Sequence, residues 1–125
     1  MSTTYLTKAH LIAIHHELIE RFGGLHGIRD EVLLESAIGR YQSGYYADRV
    51  EEAAALMESL GGNHPFIDGN KRIAVTAAFV FLAVNGYDVS VEEDAAFEFI
   101  DELFNAHEFS FARLESWLRK HARPL

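Results

Sequence analysis

Ile73-Ala74-Val75-Thr76-Ala77-Ala78-Phe79-Val80-Phe81-Leu82-Ala83-Val84 is almost wholly apolar, and its reading decides the fold. It is too short to cross a bilayer, which takes about 20 residues. A helix apolar nearly all round belongs instead at the centre of a bundle. The spacing places that helix over roughly Asn70–Asn85, with Asn85-Gly86 suited to a left-handed cap at its end.

Helical periodicity continues on both sides. Upstream, Leu11, Ile14, Leu18, Ile19 and Phe22 share a face of a first helix, about Thr7–Phe22, with Thr7 as N-cap and Gly23-Gly24 as its stop. A second helix starts after Asp30 as N-cap and carries Val32, Leu33, Ser36, Ala37 and Ile38, with Gly39 a weak point near its end. An alanine-rich third spans roughly Arg49–Leu60 and is expected to end in Gly61-Gly62. Downstream, Ser90 and Glu93 have capping-box spacing for a fifth helix ending near Phe104. Ser110 opens a sixth, with Phe111, Leu114, Trp117 and Leu118 in helical register. Val89 and Val91 could form a short strand, although no partner is obvious. The expectation is an all-α single domain over residues 1–125, a compact bundle of about six helices around one apolar helix.

The 49% apolar and 12% aromatic fractions supply an ample core for one domain. Eleven Lys+Arg against 19 Asp+Glu give a net charge of −8, a poor general surface for nucleic acid. There are no cysteines, so disulfides, thiolate-zinc sites and thiol catalysis are excluded. Met1-Ser2-Thr3-Thr4-Tyr5-Leu6 has neither the basic start nor the apolar run of a signal peptide. A cytoplasmic protein with no membrane or direct nucleic-acid partner is expected.

The loop entering the apolar helix concentrates the chemistry: His64-Pro65-Phe66-Ile67-Asp68-Gly69-Asn70-Lys71-Arg72. A loop feeding a buried helix N-terminus is a natural anion site, because free N–H groups and the helix dipole point at the bound group. Lys71 and Arg72 stand in the first turn, where the dipole disfavours cations unless an anion intervenes. Phosphate is therefore the first expectation. Asp68 beside a phosphate calls for a divalent cation between them, and Mg²⁺ is the second. His64 next to a phosphate reads as a general base, with a structural hydrogen-bonder as the bland alternative. Asp68 could equally be the N-cap of the helix, Asn70 a donor or a cap, and Phe66 an anchor sunk in the core. Gly69 permits a positive φ or close approach to phosphate. The other six histidines carry less: His15 and His16 face different directions, His10 lacks metal spacing to either, and no H-E-x-x-H occurs, so a zinc site is not expected.

His64 through Arg72 resembles the Fic/Doc signature H-P-F-x-[D/E]-G-N-x-R, and Lys71 at the variable position is similar to the Doc (death-on-curing) branch rather than to Fic adenylyltransferases, which usually have glycine there. Phe22-Gly23-Gly24-Leu25-His26-Gly27-Ile28-Arg29-Asp30, then Leu33 to Ile38 and Arg40, and later Phe81-Leu82 and Asn85-Gly86-Tyr87, extend the likeness over roughly Leu6–Leu118. The resemblance implies a Fic/Doc-like fold and a toxin of a toxin–antitoxin pair. Such a toxin acts as an ATP-dependent protein kinase, moving the γ-phosphoryl to a threonine of elongation factor Tu and halting translation.

Carried over, His64 would deprotonate the acceptor hydroxyl, Asp68 would hold Mg²⁺, and Gly69, Asn70, Lys71 and Arg72 would bind the phosphates of ATP. Nucleotidyl transfer by the same loop is the alternative, and a non-catalytic phosphate- or partner-binding module a third. Two departures stand out: Gly61-Gly62-Asn63 lacks the basic residue that some Doc members carry before the histidine, and Ile73 replaces a common threonine. No built-in inhibitory helix of the [ST]-x-x-x-E-[GN] type is present, so restraint is expected from a separate antitoxin whose disordered tail folds into an apolar groove.

Overall fold

The computed structural model describes residues 2–125. Six helices follow in chain order: α1 (Lys8–Phe22), α2 (Glu31–Tyr41), α3 (Arg49–Asn63), α4 (Asn70–Val84), α5 (Glu93–Asn105) and α6 (Phe111–His121). Two three-residue strands, β1 (Tyr87–Val89) and β2 (Ala122–Pro124), pair antiparallel with Val89 opposite Ala122. The fold is therefore mostly helical, as expected. The partner for Val89 comes from the chain's far end, too distant for local sequence to announce.

The apolar helix sits where its composition demands, with Ile73, Ala74, Val75, Ala77, Ala78, Phe81 and Leu82 buried. It shares the centre, however. Ten of the 15 residues of α3 are buried against seven of 15 in α4, so α3 is the more enclosed helix. Ala53, Ala54 and Ala55 are fully covered. Such short side chains let α4 pack close, a burial that a hydropathy reading of α3 understates. α2 and α6 pack on α3, while α1 and α5 flank α4.

Two side chains tie the N-terminal segment down. Tyr41 Oη donates to the Leu6 carbonyl at 2.8 Å, and Tyr5 donates to the buried Glu52 carboxylate, which also pairs with Arg49. Among the described residues no helix is long and apolar enough to cross a membrane.

Several helix ends differ from expectation. Asp30 and Ser110 cap α2 and α6 through Leu33 and Arg113, and Thr7 caps α1 through His10, as anticipated. The buried face of α2 is Leu34, Ala37 and Tyr41, whereas Val32 and Ser36 face solvent. Ser90 and Glu93 form no capping box: Glu92 is the N-cap of α5 without a side-chain bond, and the Glu93 carboxylate accepts from Thr76 Oγ1 at 2.6 Å.

Gly61 and Gly62 do not stop α3, which continues to Asn63. The Phe109 ring lies across both, so that a Cβ at either position would come within 3.1–3.2 Å of it. Packing overrides the propensity of the pair to break a helix.

Candidate active site

α3 ends on His64 itself, held at φ 52 as a left-handed cap. A non-glycine residue there is strained and must be held by its surroundings. Arg29 supplies the hold. Its Nε donates to the His64 carbonyl at 2.6 Å, its Nη2 to the Asn63 carbonyl at 2.8 Å, and its backbone N–H to the Pro65 carbonyl at 2.7 Å. The Asp30 N–H joins on the same Pro65 oxygen. With its backbone clamped, His64 keeps its imidazole exposed at the rim of a cleft.

Beyond His64 the loop dives. Phe66 is 1% exposed and acts as the anchor expected of it. The His15 ring stacks on Phe66 at 3.9 Å, and His15 Nε2 donates to the Asp68 carbonyl at 2.7 Å. Burial pushes the His15 imidazole below the ordinary histidine range, so it stays neutral and serves as a fixed donor. His15 was set aside at the sequence level, although its place between Leu11 and Leu18 on the inward face of α1 was the available signal. Arg29 lies in the upstream Doc-like segment, but nothing in its local pattern marks it as the clamp on His64.

Asn70 neither caps α4 nor points free donors at the cleft. Its Oδ1 accepts from the Phe66 N–H and its Nδ2 donates to the Phe66 carbonyl, each at 2.9 Å, so the amide closes the loop on itself. Asp68 is also no N-cap. Its Oδ2 accepts from the Leu25 N–H at 2.8 Å, and no cationic side chain pairs with it among the described residues.

The N-cap of α4 is Gly69 at φ 76, without any side-chain cap, whereas α1, α2, α3 and α6 all have one. The first-turn N–H groups of α4 are therefore left for a ligand. A Cβ on Gly69 would meet Ile19 Cδ1 at 3.2 Å, so glycine serves both the turn and the close packing.

The cleft measures about 420 Å³ and is lined by His64, Asp68, Gly69, Asn70, Lys71 and Arg72 together with Phe22 and Phe97. Both cations are engaged with α5: Lys71 Nζ lies 2.7 Å from Asp101 Oδ1, and Arg72 Nη1 lies 3.0 Å from Asp94 Oδ1. The Arg72 guanidinium is also sandwiched between Phe22 and Phe97, at 4.1 and 4.2 Å from the ring centres. Partly exposed ion pairs of this kind are worth about 0–1 kcal/mol, so an arriving phosphate can share or replace them. Ile73, by contrast, is fully buried and faces away from the site, which makes its departure from threonine a matter of packing.

An exposed imidazole, a carboxylate without a cationic partner and an uncapped helix N-terminus meet in one cleft, a combination of groups able to serve proton transfer beside a bound anion. The sequence model of the Fic/DOC family matches residues 5–82. Over 78 residues the chain is 41% identical to Toxin Doc of Mycolicibacterium smegmatis (strain ATCC 700084 / mc(2)155), a match covering 58% of this chain and 60% of that protein. Over 89 residues it is 36% identical to Protein kinase doc of Escherichia phage P1, covering 68% and 71% respectively. The chain belongs to the Fic/Doc family, on its Doc branch.

Proposed function

We propose that this protein is a growth-arresting toxin that transfers the γ-phosphoryl group of ATP to a hydroxyl of a host protein, a threonine of an elongation factor Tu-like translation factor being the favoured acceptor. The observation that carries this reading is the convergence of His64, Asp68 and the uncapped start of α4 on one cleft. Its likeness to one relative named as a toxin and another named as a protein kinase supports it. His64 accepts the acceptor hydroxyl's proton, a role typically worth about 10²–10⁴ in rate, as the oxygen attacks the γ-phosphorus and the bond to the β,γ-bridging oxygen breaks to release ADP.

The first-turn N–H groups of α4 and the side chains of Lys71 and Arg72 neutralise phosphate charge, where most of the catalysis of phosphoryl transfer lies. Asn70 contributes indirectly, by fixing the Phe66 backbone and so the loop. Mg²⁺ fits at Asp68, because an oxygen ligand with no cationic partner faces the cleft there, and when bound it would offset phosphate charge. Lys71 in place of glycine fills part of the anion site, a reason for the γ-phosphate rather than the AMP moiety to face the acceptor. A separate antitoxin restrains the activity by covering the cleft or a neighbouring apolar surface.

Brief induction of the chain in a bacterial host, followed by mass spectrometry of host proteins, tests the reading. A phosphate-sized addition on a threonine, lost in His64→Ala together with growth arrest, is expected. A nucleotide-sized addition would replace kinase by nucleotidyl transfer, and arrest undiminished in His64→Ala would remove the enzyme reading altogether.

A further inference from the structure

Three metal-ligating side chains meet beside the loop that joins α1 to α2, at a place that the phosphate-site residues do not occupy. His16 and Glu20 stand one turn apart on α1, at the i, i+4 spacing that brings side chains together. His26 reaches back from the loop. Each residue offers one ligand atom, and the three atoms lie within 4.8 Å of one another. His26 Nε2 is 2.7 Å from Glu20 Oε2, and the His16 and His26 rings stack at 4.4 Å. All three residues are exposed, so an ion has direct access and the side chains are free to adjust.

Two imidazoles and one carboxylate are a ligand set of tetrahedral zinc chemistry, with metal–ligand distances of about 2.0–2.2 Å and a fourth position left for water. Such bond lengths put ligand atoms about 3.3–3.6 Å apart, so closing the trio takes a movement of about 1 Å in exposed side chains. Nitrogen ligands select borderline transition metals over Mg²⁺, which favours oxygen. The spacing escapes a motif search because the third ligand lies in the loop rather than on the helix.

We propose that His16, Glu20 and His26 form a binding site for a divalent transition-metal ion such as Zn²⁺, stapling the α1–α2 loop to α1. The staple sits next to the catalytic loop. Leu25, the neighbour of His26, gives its N–H to Asp68 Oδ2, and Gly24 is packed tightly enough that a Cβ there would stand 3.2 Å from Asp68 Cβ. An ion on His26 therefore fixes the backbone that orients Asp68. That consequence rests on the function proposed above, whereas the metal binding does not.

Titration of the tag-free full chain with ZnCl₂, read by calorimetry and by thermal unfolding, tests the site. One equivalent is expected to bind, and Tm should keep rising with the logarithm of free Zn²⁺ above the Kd. His16→Ala and His26→Ala should each weaken Zn²⁺ binding by about tenfold or more, since even groups outside the ligand shell cost that much. His10→Ala should leave it unchanged, and Asp68→Ala, which removes the Leu25 bond but no proposed ligand, should weaken it far less than either histidine substitution. Both histidine positions are exposed, so circular dichroism should report an intact fold. Absence of saturable Zn²⁺ binding would overturn the proposal and reduce the trio to a His26–Glu20 hydrogen bond. So would binding that survives both histidine substitutions or disappears in Asp68→Ala.

Discussion

His15 Nε2 donates to the main-chain carbonyl of Asp68 across 2.7 Å, so the first helix fixes the catalytic-loop candidate from beneath. The same imidazole stacks on Phe66 within 10° of parallel. Replacing His15 by phenylalanine preserves an aromatic face but orphans the carbonyl, which should cost about 1–3 kcal/mol. His15→Ala removes the stack as well and should cost about 2–4 kcal/mol. Urea unfolding of the two variants measures both losses, and alanine should be the worse.

The same residue makes stability fall in acid. The folded state holds the His15 imidazole below its ordinary value, chiefly by burial, so the unfolded chain takes up the proton more readily. The His15 contribution is fully present above about pH 6.5, the unfolded value, and is lost as pH falls through the lower folded value. Comparing wild type with His15→Phe between pH 8 and pH 5 isolates it, since the variant should show a flatter decline.

Asn70→Ala removes both bonds to the Phe66 backbone while leaving every cleft-facing charge in place. A stability loss of about 1–3 kcal/mol is expected, with a drop in phosphoryl transfer caused by a loosened loop. Asn70→Asp can still accept from the Phe66 N–H but cannot donate to its carbonyl, so its stability should fall between wild type and alanine.

Arg72→Lys tests the aromatic sandwich. The Arg72 guanidinium carbon lies 4.1 and 4.2 Å from the ring centres of Phe22 and Phe97, and a planar guanidinium can stack on such rings whereas an ammonium group cannot. Loss of that positioning should weaken ATP binding by about 5–30-fold, corresponding to roughly 1–2 kcal/mol. Equilibrium binding of ATP·Mg²⁺ reads this without depending on turnover.

The helical fold was legible because Ile73–Val84 admits only a buried helix and because Thr7, Asp30 and Ser110 mark helix starts by side-chain chemistry. Where local signals misled, a distant residue had intervened. Phe109 carries α3 through Gly61 and Gly62, Leu25 draws Asp68 away from capping α4, and Ala122 supplies the strand that Val89 lacked. The loop stood out in the sequence through the crowding of its reactive residue types, and the structure gathers those residues in one cleft. Its supports did not stand out, because Arg29 and His15 act on backbone carbonyls 35 and 53 positions away, and such contacts leave no spacing in a sequence.

Incubating the purified protein and a translation-factor acceptor with ATP labelled at either the α or the γ position tests the central claim most directly. The γ label should reach the acceptor, the α label should not, and His64→Ala should reduce the transfer by about 10²–10⁴. Transfer of the α label, or γ transfer at the wild-type rate without the imidazole, would contradict it.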